Sequence, residues 1–198
     1  MHEIQEQDHR SRRSRVWRVL LPLCPWIILL IITGLSVFAP EPARVILSIA
    51  GAVGAGVIAG VFFAFSTFVM RALARLPAAE GIAAMQAINI VVINPVFLGV
   101  LFGTGAVSVV AVFAALLQRK GPDTVFLLSG CALYLIGTLF VTIAFNVPLN
   151  NALARVKPDD PDAPQRWADY VRRWTAWNHV RTVAAILAMS SFIMAIRH

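Results

Sequence analysis

The stretch Gly81–Gln118, GIAAMQAINIVVINPVFLGVLFGTGAVSVVAVFAALLQ, carries no charged residue. It is longer than the about 20 residues that take a helix across the hydrocarbon core of a bilayer. Asn94-Pro95 divides it, because proline removes a helix donor yet suits the first turn of a new helix. The stretch therefore reads as a short amphipathic helix over about 78–93 and a transmembrane helix starting near Pro95.

Outward from there, charge-free runs cover Val19–Pro40, Val45–Met70 and Thr124–Ala154. A last apolar segment, about Asn178–Ile196, is interrupted only by Arg181. Each is read as a crossing, and the fold expected is all-α: a polytopic membrane four-helix bundle with an extra N-terminal transmembrane helix, five spans in all. The expected organisation is a basic cytoplasmic arm (1–18), an additional transmembrane helix (19–39) and a four-helix membrane domain (45–196). Val37-Phe38-Ala39 resembles a signal-peptide cleavage site, but the apolar run before it exceeds an h-region and Pro40 would follow the cut. Retention of the first helix is expected.

Composition agrees. Hydrophobic residues make up 59% of the 198 residues, and mean hydropathy is +0.75, which excludes an ordinary soluble domain. The net charge of +7 could suit nucleic acid, but its bearers are spread over an N-terminal arm and loops. Arg10, Arg12, Arg13, Arg15 and Arg18 precede the first span, Arg71 and Arg75 follow the second, and Arg155, Lys157, Arg166, Arg172 and Arg173 follow the fourth. Only Arg44, Arg119, Lys120 and Arg197 fall opposite. The positive-inside rule then puts the N-terminus inside and the C-terminus outside, in the cytoplasmic membrane of a bacterium. Nucleic acid is not an expected partner.

Ala52, Gly56, Gly60 and Ala64 recur every four residues in the second span, and Gly99 and Gly103 repeat the spacing in the third. Such small-residue faces let backbones approach closely, and the two are expected to face each other or a second copy in a homo-oligomer. Cys24 and Cys131 lie far apart in apolar runs and suggest neither a disulfide nor a metal site. Every Asp and Glu falls outside the spans, and no His-x-x-x-His or Cys-x-x-Cys spacing occurs, so neither an acid-based proton relay nor metal catalysis is expected. No cofactor is expected either.

The polar residues collect at one end. Trp174, Asn178 and Arg181 fall at i, i+4 and i+7, on one helix face, while His179 points about 100° away from Asn178. Gln86, Asn89, Asn94 and the turn Asn146-Val-Pro-Leu-Asn150-Asn151 belong on the same side, with a helix break expected at Pro148. One reading is an interfacial aromatic belt with a snorkelling arginine, the amides serving freed backbone groups. The other is a pocket for a planar, oxygen-rich lipophilic molecule. In it Arg181 stabilises a phenolate or enolate, His179 acts as base and Asn150 completes the catalytic set. Gln86, Asn89, Asn94, Asn146, Trp174, Trp177 and Asn178 would line it.

These same residues carry a resemblance. Gly60-Val-Phe-Phe-Ala-Phe-Ser66, Leu76-Pro77, Met85-Gln86-Ala-Ile-Asn89, Asn94-Pro95-Val-Phe97, Asn146-Val-Pro-Leu-Asn150 and Trp167-x-x-Tyr170-x-x-x-Trp174-x-x-Trp177-Asn178-His179-Val-Arg181-Thr182 together resemble the DUF1772, or anthrone oxygenase-like, family of small integral membrane proteins over about Val45–Ile196. Arg71 departs from the pattern, standing where proline is usual. The resemblance implies a four-helix membrane domain to which the first helix is an addition. It also implies oxidation of a lipophilic, anthrone-like aromatic without a conventional metal or flavin. The competing expectation is a non-enzymatic membrane scaffold or carrier of lipophilic small molecules. Membrane lipid and such an aromatic are the expected partners.

Overall fold

The computed structural model describes residues 40–117 and 121–197; the expected basic arm and first transmembrane helix lie outside the described residues. Arg44–His198 form one compact unit. Five helices build it, and no strand occurs among the described residues. Helix α1 is α-helical over Pro40–Ala64, widens into a π turn at Phe65–Val69 and ends in Met70–Leu73. Helix α2 spans Ala78–Val91 and α3 Pro95–Leu117, with Pro95 opening the latter as anticipated. Helix α4 is a continuous run of four pieces, Pro122–Ala132, π-helical Leu133–Phe140 and Thr142–Asn146, and Val147–Leu153. Helix α5 spans Ala163–Arg197.

Four of these, Ala43–Leu73, Pro95–Leu116, Asp123–Leu153 and Ala163–Arg197, are long and apolar enough to cross a membrane. They run up and down as an antiparallel bundle in which α5 packs along α4, and α3 packs on α4. Large apolar side chains such as Ile46, Val57, Phe68, Phe113, Ile136, Leu187 and Ile193 point outward. An apolar exterior of this kind is what lipid solvates and water does not. At the basic end, α2 tucks beneath the bundle, where Ile82 and Met85 pack with Met70, Leu153, Trp167 and Trp174. At the other end Arg44 pairs with Asp123, tying the start of α1 to the start of α4.

Helix contacts use small residues, but only part of the expected stripe: Ala52 is buried and a Cβ on Gly56 would stand 3.0 Å from Met189 of α5. A Cβ on Gly60, Gly99 or Gly103 would meet nothing within 4 Å, so these glycines touch no neighbouring helix of the described chain. The reason is angular. Four-residue steps drift about 40° each around a 3.6-residue helix, and the series Ala52, Gly56, Gly60 turns from buried through half-buried to exposed. The contact face of α1 instead follows Leu47, Gly51, Gly54, Ala55, Ile58 and Phe62. There Gly54 abuts Thr104, and the Phe192 ring, itself fully buried, lies where a Cβ on Gly51 or Gly130 would stand 3.0 Å away. Gly137 abuts Ala184 in the same way.

The break expected at Pro148 is likewise absent. Pro148 opens Val147–Leu153 directly after the π turn Thr142–Asn146, and the helix runs on. A wide turn already displaces the i−4 hydrogen bond that a proline ring would destroy, so the helix continues through the ring.

Candidate functional site

Helix α5 is about 52 Å long, well beyond a bilayer core of about 30 Å. Its first half carries the exposed ion pair Arg172–Asp169 and pairs Arg166 with Asp162 just before its start, and its apolar second half begins near Arg181. On its inner face Trp174, Asn178, Arg181 and Thr182 are all buried. The π turns of α1 and α4 flank this face, and such turns recur at functional positions because they swing a side chain or carbonyl out of helical register.

Asn178 organises the centre. Its Nδ2 donates to the Phe62 carbonyl (2.7 Å), at the entry to the α1 π turn, and to Ser66 Oγ (2.6 Å) within it. Its Oδ1 accepts from Arg181 Nε at 2.9 Å. Thr182 Oγ1 gives its proton to the Asn178 carbonyl (2.7 Å), so in the Ser66–Thr182 contact at 3.0 Å Ser66 is the donor. Every polar atom of the Asn178 amide and of these two hydroxyls is thereby directed.

Arg181, 5% exposed, is held differently. Besides the bond to Asn178, its NH1 donates to Thr142 Oγ1 at 3.3 Å, and its guanidinium carbon sits 3.9 Å from the Phe62 ring centroid and 4.9 Å from that of Trp174. Two aromatic faces offset part of the charge. A guanidinium has five N–H donors; those two bonds leave three without a protein acceptor, and no carboxylate pairs with it among the described residues. Asn146, 1% exposed and four residues after Thr142, donates to the Trp174 carbonyl (3.2 Å) while its Oδ1 has no partner. One turn beyond Thr142, the buried Thr138 hydroxyl is also unpartnered. Tyr134, Thr138, Thr142 and Asn146 thus make a polar line along α4. Steps of four stay on one face here because the wide turns cancel the drift of an α-helix.

The sequence-selected residues separate into groups. Arg181, Asn178, Asn146 and Trp174 meet at this centre. Trp177 stacks on Phe145 at its edge (3.7 Å, 10° between planes). Asn150 lies one turn below Asn146, its Oδ1 accepting from Trp174 Nε1 (2.7 Å) and the Tyr170 hydroxyl (3.0 Å). Asn89 lies beside Tyr170 with its Nδ2 buried and unpartnered. Gln86 Nε2 bonds the Leu153 and Val156 carbonyls (2.9 and 3.0 Å), and Asn94 caps both helices beside it, donating to Val91 O and accepting from the Val96 and Phe97 amides. His179 is exposed on another face of α5, in a groove with Ser66, Arg71 and Thr175. Ser66, Thr142, Thr182 and Phe62 were not anticipated; the polar four-residue series through Thr138 and Thr142 in an otherwise apolar helix was the available signal.

Bundle, apolar exterior and buried polar centre together define an integral membrane protein with an internal cationic site. The anthrone oxygenase family model matches residues 96–191, from α3 to most of α5, so over that stretch the chain is similar to this family. Among curated proteins and among solved structures nothing matches. Helices α1 and α2 lie outside the matched residues, although α1 supplies Phe62 and Ser66 to the centre.

Proposed function

We propose that the chain is an oxygenase that oxidises a lipophilic, anthrone-like aromatic with O2, without a bound cofactor, at the Arg181 centre. The observation that carries this reading is the buried guanidinium with three open donors and no paired carboxylate among the described residues. A buried cation left uncompensated is costly, and an anion formed during reaction relieves that cost where a neutral ground state does not. Loss of a proton from the ring CH2 puts negative charge on the carbonyl oxygen, which Arg181 can accept. The resulting carbanion-enolate passes an electron to O2 and the two radicals join as C–OO−, which takes up a proton in place of the one lost to give C–OOH. Elimination of water then leaves a second C=O, so one O2 yields quinone and one H2O. Phe62, Trp174 and the Phe145–Trp177 stack supply flat apolar walls for such a substrate.

The carrier reading draws on the bonds from Asn146 and Asn178 to backbone carbonyls, which serve the helices whether or not chemistry occurs. Protein purified in detergent and supplied with an anthrone separates the two. Quinone absorbance and O2 uptake should exceed the no-protein control, with one O2 consumed per quinone. A rate equal to the control, with saturable substrate binding, would establish a carrier.

A further inference from the structure

We infer that the outer groove between α1 and α5 at the basic end is a binding site for the headgroup of an anionic phospholipid. Ser66, Met70 and Arg71 line it from α1, and Arg172, Thr175 and His179 from α5. Among the lining residues there is no acid. Arg71 is exposed and has no ion-pair partner among the described residues, and Arg172 shares only NH2 with Asp169. A second observation is independent of charge. Thr67, Thr104, Ser108, Thr142, Thr182 and Ser190 each donate to the carbonyl four residues earlier, as membrane-helix hydroxyls do. Thr175, like Ser48 and Thr138, does not, and of these three unpartnered buried hydroxyls it is the one that lines the groove. A phosphate oxygen held by the two arginines would supply the acceptor that this lining residue lacks.

The lipid source follows from position. The groove lies at the end of the bundle where Arg71, Arg75, Arg155, Lys157, Arg166, Arg172 and Arg173 gather, the level at which headgroups sit, and basic pockets between transmembrane helices select anionic lipids there. Met70, Ala74 and Val171 give acyl carbon an apolar wall that a free anion would not use. The groove also meets the buried centre, since Ser66 bonds Asn178, which holds Arg181. Occupancy would stiffen that connection.

The test uses full-length protein delipidated in neutral detergent, titrated with phosphatidylglycerol, phosphatidylcholine or inorganic phosphate and followed by native mass spectrometry and thermal stability. Phosphatidylglycerol should bind saturably, at least about tenfold more tightly than phosphatidylcholine, and raise Tm, while inorganic phosphate has no effect. Arg71→Gln with Arg172→Gln should remove the preference, as should Ala74→Trp, which fills the groove from an exposed position and leaves the charges in place. Arg166→Gln, exposed and outside the groove, should retain it. Equal affinity for the two lipids, an equal response to inorganic phosphate, or a preference that survives both groove variants would each overturn the proposal.

Discussion

Two amides at the basic end, Gln86 and Asn94, and those one or two turns deeper are chemically alike but differently employed. Gln86 bridges two carbonyls at the end of α4 and Asn94 caps α3, each spending its polar atoms on backbone that would otherwise be unpaired. Deeper in, Asn178 spends its amide on holding an arginine, while Arg181, Asn146 and Thr138 keep donors or acceptors open behind nearly complete burial. Satisfied groups there act as joints; open buried groups cost free energy that only a bound partner returns. That contrast ranks the substitutions.

Arg181→Met should have the largest effect on turnover, bringing quinone formation to the no-protein rate. Its effect on Tm should be small, because removing an unpaired buried charge offsets the Asn178 Oδ1 left without a donor. Full turnover in this variant would break the proposed assignment. Asn178→Asp sharpens the same point. The carboxylate still accepts from Arg181 Nε and Ser66 can donate to it, so the protein should fold, yet the cation is now neutralised internally and the rate should fall by about two orders of magnitude. A variant as active as the parent would mean that charge at Arg181 is irrelevant.

At the basic end the expectation reverses. Gln86→Ala should lower stability by about 1–3 kcal/mol, since two carbonyls lose their donor, and turnover should follow the folded fraction measured by size-exclusion chromatography. A loss of rate in fully folded protein would move Gln86 into the site.

The difference between the two regions explains what could be read from residues alone. Span positions, Pro95 as a helix start and the shared face of Trp174, Asn178 and Arg181 rest on length, proline chemistry and the 3.6-residue period, which are local. The π turns are not local. No residue type announces Phe65–Val69 or Thr142–Asn146, and they arise where α1 and α4 pack against the long face of α5. Thr142 reaches the arginine, and Ser66 the Asn178 that holds it, through those turns, so a straight-helix reading omits them. It also mistakes Pro148 for a break. His179, adjacent in sequence to Asn178, faces the outer groove instead of the guanidinium, as the 100° step per residue requires.

Glycines give the smallest effects and the same kind of contrast. Gly137→Val drives a side chain into Ala184 and should cost about 1–3 kcal/mol, as overpacking does. Gly60→Ala adds a methyl to open space in a helix interior, where alanine is preferred by about 1 kcal/mol, so Tm should rise slightly. The sign of this last change is informative because the isolated chain predicts only a gain. A loss in Tm, larger at high protein concentration, would mean that another copy packs on the face shared by Gly60, and the four-residue spacing would then belong to a contact between chains instead of within one.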